Sequence, residues 1–139
     1  MKFWDSSAVA ALLVQEADTA ERKEQLRDDS EMVVWWTTFV ECASALARRL
    51  RNDEIDLDHF KLASKHLETL SGSWVEVQPS ELVKRRAVRL LRVHPLRAAD
   101  ALQLSACLDV SGDDSRHMDF ACSDERLCVA AEKEGLTVL

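Results

Sequence analysis

The stretch Met32-Val33-Val34-Trp35-Trp36-Thr37-Thr38-Phe39-Val40-Glu41-Cys42-Ala43-Ser44-Ala45-Leu46 decides the fold. Its first five residues are apolar, β-branched or aromatic, with no polar alternation. That is the pattern of a strand buried on both faces. From Thr38 the sequence reads as a helix, over residues 38–50. A doubly buried strand passing straight into a helix belongs to a parallel sheet covered on both sides.

The same alternation extends outward in both directions. Residues 2–4 read as a short strand, 7–14 as a helix and 19–28 as a second, polar helix. Residues 57–70 form a helix stopped by Ser71-Gly72-Ser73, and 74–77 a third strand. Pro79 opens the next helix, at a favoured first-turn position. His94-Pro95 ends it, because the residue before proline avoids helical dihedrals. Residues 97–110 are helical, 111–115 a loop, 120–122 a fourth strand, 124–133 a helix and 136–139 a last strand. The predicted fold class is α/β: a single three-layer α/β/α domain over residues 1–139 with a short-stranded parallel sheet. A chain of 139 residues suits one core.

Apolar residues make up 47% of the chain and charged residues 31%, which excludes a disordered chain. Asp5 interrupts the first apolar run, so no signal-peptide core fits there, and no run is long enough to span a bilayer. A cytoplasmic protein without membrane contact is expected. Cys42, Cys107, Cys122 and Cys128 form no CxxC pair and sit among apolar neighbours, as reduced core cysteines do. His59, His66, His94 and His117 lack zinc-ligand spacing. The net charge of −7 argues against non-specific coating of nucleic acid. Yet residues 84–97 carry Lys84, Arg85, Arg86, Arg89, Arg92 and Arg97 and no acid.

In an open parallel sheet, ligands bind at the carboxyl ends of the strands. Asp5 follows the first strand and Asp124 the fourth. Glu41 lies in the first turn after the second strand, and Asp100 opens the apolar helix beyond Pro95. One sheet edge could gather all four. Each also has a plainer reading. Asp5 and Asp124 suit helix N-caps, Glu41 completes a capping box with Thr38, and Asp100 is a first-turn acid. Glu41 and Asp100, however, sit in helices apolar almost all round, where an ionised carboxylate is costly unless paired or metal-bound. No lysine or arginine lies one turn either side of Glu41; Arg97 is a local partner for Asp100. A hard cation such as Mg²⁺ resolves the repulsion between converging carboxylates.

Four stretches, in order, resemble the PIN-domain nucleases, and among them the VapC toxins of bacterial toxin–antitoxin pairs. They are Trp4-Asp5-Ser6-Ser7-Ala8; Thr37-Thr38 leading to Glu41 with Ala45-Leu46 behind; Leu96-Arg97-Ala98-Ala99-Asp100-Ala101-Leu102-Gln103-Leu104; and Phe120-Ala121-Cys122-Ser123-Asp124-Glu125-Arg126-Leu127. The resemblance implies that Asp5, Glu41, Asp100 and Asp124 are the catalytic acids, with Asp5, Asp100 and Asp124 on the metal. It implies that Ser7, or Ser6, supplies a supporting hydroxyl near Asp5. It further implies Mg²⁺- or Mn²⁺-dependent endonucleolytic cleavage of RNA, tRNA or rRNA above all. The partners it implies are a small antitoxin that occludes the acid pocket and a second copy in a homodimer. Asp119 competes with Asp124 for the fourth position; Asp124 is preferred because it follows the strand rather than leading into it. The alternative is a catalytically inactive PIN-like binding module.

Arg85, Arg89 and Arg92 fall on one helical face, with Val83, Ala87, Leu90 and Leu91 opposite. That face is either plain solvated surface or a track for RNA phosphates, and Arg97, one turn before Asp100, is a better single phosphate contact. Trp4, Trp35, Trp36 and Trp74 all fall in predicted strands, with core packing the default. Leu12, Leu13 and Val14 suggest an apolar docking patch. A phosphatase of the haloacid dehalogenase type would place an aspartate where Ser7 stands. A dinucleotide fold would need a glycine-rich first turn, which is absent.

Overall fold

The structure is a computed structural model that describes residues 1–112 and 118–139. Asp113, Asp114, Ser115 and His117 lie outside the described residues. The elements run β1 (Lys2–Trp4), α1 (Ser6–Leu13), α2 (Thr19–Asp28), β2 (Met32–Trp35), α3 (Thr38–Arg51), α4 (Leu57–Ser71), β3 (Val75–Val77), α5 (Glu81–Val93), α6 (Ala98–Val110), β4 (Asp119–Ala121), α7 (Glu125–Lys133) and β5 (Thr137–Val138). The strands form one sheet in the order β3-β2-β1-β4-β5, and every pairing is parallel.

Alternation along the strands feeds two cores. Phe3, Val33, Trp35 and Phe120 pack on one face with Val83, Ala87 and Leu90 of α5, Leu104 of α6 and Leu127 of α7. Trp4, Met32, Val34 and Ala121 pack on the other with Val9 and Leu12 of α1, Cys42 of α3 and Leu67 of α4. This is the three-layer α/β/α arrangement. The Phe3 and Phe120 rings stack with centroids 5.7 Å apart across the β1–β4 pair. Burying each such side chain contributes roughly 2–3 kcal/mol. Among the described residues no helix is long and apolar enough to cross a membrane. Cys42, Cys107, Cys122 and Cys128 are all free thiols.

Several boundaries differ from the sequence reading, each for a local reason. β2 ends at Trp35; the Trp36 N–H donates to the Val77 carbonyl at 3.2 Å, then the chain turns into α3, so the Trp36 ring is 52% exposed. Trp74 precedes β3, with its ring buried and its Nε1 donating to Glu76 at 3.1 Å. Pro79 lies outside α5, because Ser80 takes the N-cap and accepts from the Val83 N–H at 3.1 Å. Leu91 is exposed rather than core-facing. Cys122 falls just after β4, and the last strand is limited to Thr137–Val138.

Candidate active site

Parallel strands point their carboxyl ends the same way, so the helices that follow them begin along one edge. Asp5 joins β1 to α1 as its N-cap and Asp124 joins β4 to α7 as its N-cap. Glu41 lies in the first turn of α3, just past β2, and Asp100 in the first turn of α6. Asp119, by contrast, begins β4 level with Lys2, at the opposite edge.

Hydroxyl groups, one side-chain amide and backbone N–H groups fix these acids. Ser7 donates to Asp5 through its backbone N–H at 2.9 Å and through its hydroxyl. Ser6 serves a different acid: its hydroxyl donates to Glu41 Oε2 at 2.8 Å. Glu41 also accepts from the Thr37 hydroxyl and from Gln103 Nε2, 3.3 Å from both carboxylate oxygens. The expected capping box between Thr38 and Glu41 is therefore absent. Thr37 is the N-cap, and Thr38, fully buried, accepts from Gln103 at 3.1 Å. Gln103 Oε1 is buried without a hydrogen-bond partner among the described residues. Asp100 accepts from the Arg97 N–H at 3.2 Å and Asp124 from the Leu127 N–H at 3.0 Å. Asp5, Asp100 and Asp124 each use one carboxylate oxygen for these local backbone bonds, so the capping role and a ligand role are compatible.

The electrostatics are those of unneutralised acids. Asp5 is 3% exposed, and burial pushes its carboxyl up to about 6, with Glu41 and Asp100 adding to the rise and the Ser7 bonds opposing it. Asp100 is raised by its own partial burial, then by Asp124 and Glu41. Among the described residues none of the four acids forms an ion pair with a basic side chain. The four thus sense one another's charge. As they stand, no three histidine, cysteine or acidic side chains among the described residues form a group that could hold a metal ion. The donor set is nonetheless all oxygen, and buried Asp5 has no basic partner among the described residues. Both features fit a hard divalent ion rather than zinc or copper.

Two clefts meet at Asp100 and Asp124. The larger, about 620 Å³, is lined by Ser6, Ser7, Glu41, Arg48 and Arg49 besides these two acids. The smaller, about 380 Å³, adds Arg97 and Arg126. Arg49 is paired with Glu16 and Glu54. Arg85, Arg89 and Arg92 line neither cleft. Arg85 pairs with Glu81 at 3.3 Å, and Arg89 pairs with Glu134 at the opposite end of α7 from Asp124. Leu12, Leu13 and Val14 line a separate hollow of about 800 Å³ with Ile55 and Leu62. The sequence reading missed Gln103 and Arg48. Gln103 lies one turn beyond Asp100 as a lone amide in an apolar helix, and Arg48 two turns beyond Glu41, so helical spacing from the acids could have found both.

The layers, the parallel sheet and the carboxyl-edge cleft define a PIN-like α/β/α fold. Solved structures that share it include FitAcB from Neisseria gonorrhoeae, with a TM-score of 0.68 and 15% identity, covering 100% of this chain and 96% of that one. PAE2754 from Pyrobaculum aerophilum has a TM-score of 0.67 and 21% identity, covering 99% of this chain and 87% of that one. A structure of FitAB bound to an IR36 DNA fragment has a TM-score of 0.67 and 14% identity, covering 100% and 94%. No protein-family model matches the chain, and no curated protein sequence matches it either.

Proposed function

We propose that this chain is a Mg²⁺- or Mn²⁺-dependent endoribonuclease, the VapC-like toxin of a toxin–antitoxin pair, acting in the cytoplasm. The observation that carries the reading is Asp5: a buried carboxylate beside other acids, with no basic partner among the described residues. Likeness of fold to FitAcB and FitAB supports the toxin assignment.

In this reading Asp5, Asp100 and Asp124 hold the ion and Glu41 completes the acid set. A bound divalent cation would neutralise phosphate charge and make water a better nucleophile at neutral pH. The chain's own groups do the rest. Ser7 fixes Asp5, while Ser6, Thr37 and Gln103 fix Glu41. Arg48 on one side and Arg97 and Arg126 on the other supply positive charge for the RNA backbone on either side of the scissile phosphate. Water would attack phosphorus as it gives up a proton, the P–O bond to the leaving ribose oxygen would break, and that oxygen would take up a proton from solvent. A small antitoxin that covers the cleft, and a homodimer, are the expected partners.

The test is cleavage of total cellular RNA by the purified protein, with the new ends mapped. Cleavage should require Mg²⁺ or Mn²⁺, stop with EDTA, and disappear in Asp100→Asn while the circular dichroism spectrum stays native. Cleavage that survives both EDTA and Asp100→Asn removes the reading.

A further inference from the structure

The β4–α7 junction carries Asp124 but belongs to no regular element, and what holds it comes from α2. That helix is polar and mostly exposed, yet Arg22 within it is only 4% exposed. Its guanidinium donates to the Cys122 carbonyl at 2.6 Å, to Asp18 Oδ2 at 3.0 Å, and to Gln25 Oε1 and the Leu139 carbonyl at 2.9 Å each. The same Asp18 oxygen accepts the Ser123 hydroxyl. The Ser123 backbone N–H then donates to Ser7 Oγ at 2.9 Å, and the Ser7 hydroxyl donates to Asp5. An unbroken set of hydrogen bonds runs from a buried guanidinium to a buried carboxylate.

We propose that Arg22 and Asp18 are positioning residues. They clamp Cys122 and Ser123, which sets Asp124 in the cleft and Ser7 against Asp5. This rests on the nuclease reading above. Burying a guanidinium carries a desolvation penalty, and a well-packed apolar side chain would hold the layers together as well or better. What the charged clasp adds is direction. Hydrogen bonds to one carbonyl and one carboxylate fix the junction in position, where apolar contact lets it slide. In metal sites, such outer partners set the affinity of the ligands they orient.

The experiment compares wild type, Arg22→Met and Asp18→Asn. Three readouts are taken: thermal unfolding, Mn²⁺ affinity from the free-ion paramagnetic resonance signal, and kcat and KM for RNA cleavage. Arg22→Met keeps bulk and removes the clasp. Its Mn²⁺ Kd should rise about 10- to 100-fold. Its kcat should fall comparably, with KM nearly unchanged, while the protein stays folded. Asp18→Asn, at a partly exposed site, is the milder second variant should Arg22→Met fail to fold, and its Mn²⁺ Kd should rise about 10-fold, the lower end of that range. Wild-type Mn²⁺ affinity in either folded variant overturns the inference and leaves the nuclease reading intact. Absence of Mn²⁺ binding by the wild type overturns both.

Discussion

The two ends of α7 carry the same kind of side chain in opposite company. At the C-terminal end, burial raises the Glu134 carboxyl, but its bonds to His94 at 2.7 Å and to Arg89 outweigh that and hold it below the usual range. At the N-terminal end, Asp124 stands with Asp100, Glu41 and Asp5 and meets no basic partner among the described residues. An acid that builds structure is folded together with its counter-charge. At the other end acid is folded beside acid, and burial with mutual repulsion raises Asp5 and Asp100.

The sharpest test of this contrast is activity. Asp100→Asn should lower RNA cleavage on the order of 10³-fold, as losing a charge-stabilising group in an active site does, whereas Glu134→Ala should leave the cleavage rate per folded molecule unchanged. Equal losses in both would erase the distinction.

Next in size is pH. The Asp5 carboxyl is raised from its usual 3.8 to about 6, so the folded chain binds a proton that the unfolded chain has already released. The stability this gives is fully present below about pH 4 and lost as pH rises through 6, by about 3 kcal/mol. Glu134 works the other way: its lowered carboxyl stabilises above the usual glutamate value, and that stability is lost as pH falls. Urea titrations in EDTA from pH 4 to 7.5 should therefore show Asp5→Asn gaining on wild type as pH rises. Parallel curves would contradict the burial of an uncompensated charge. Added Mn²⁺ should stabilise wild type more at pH 7.5 than at pH 5.

Glu134→Ala itself should cost about 2 kcal/mol in the same titrations, since it strands buried His94 and leaves Arg89 unpaired. The smallest effect belongs to the cleft wall. Arg48→Ala should raise KM for RNA about 3- to 10-fold with little change in kcat, the size of one surface phosphate contact. A fall in kcat with KM unchanged would move Arg48 from substrate binding into the chemistry.

The fold was legible because doubly buried strands leave no polar alternation, and because proline, glycine and serine mark the breaks. The convergence of the acids on one edge was legible from connectivity alone. What hid was anything set by side-chain geometry across elements. Ser6 and Ser7 are adjacent in sequence yet serve Glu41 and Asp5 separately. Gln103 reads as a polar interruption until α6 is docked against α3. The face of Arg85 and Arg89 left solvated surface and phosphate track both open, because the docking of Glu134 against Arg89 is not visible in the sequence. Trp36 looked like strand because composition does not reveal where β2 turns outward.

The central place of β1 has a consequence for how the molecule is made. Phe3 pairs with Val33 on one side and with Phe120 on the other, so one neighbour is available early in synthesis and the other only once β4 has been made. Pairings so distant along the chain form slowly. Until β4 arrives, Ser7 lacks the Ser123 N–H and the edge of β1 is open. A nascent chain that still lacks β4 and α7 therefore cannot bring Asp124 to the edge that carries Asp5 and Glu41.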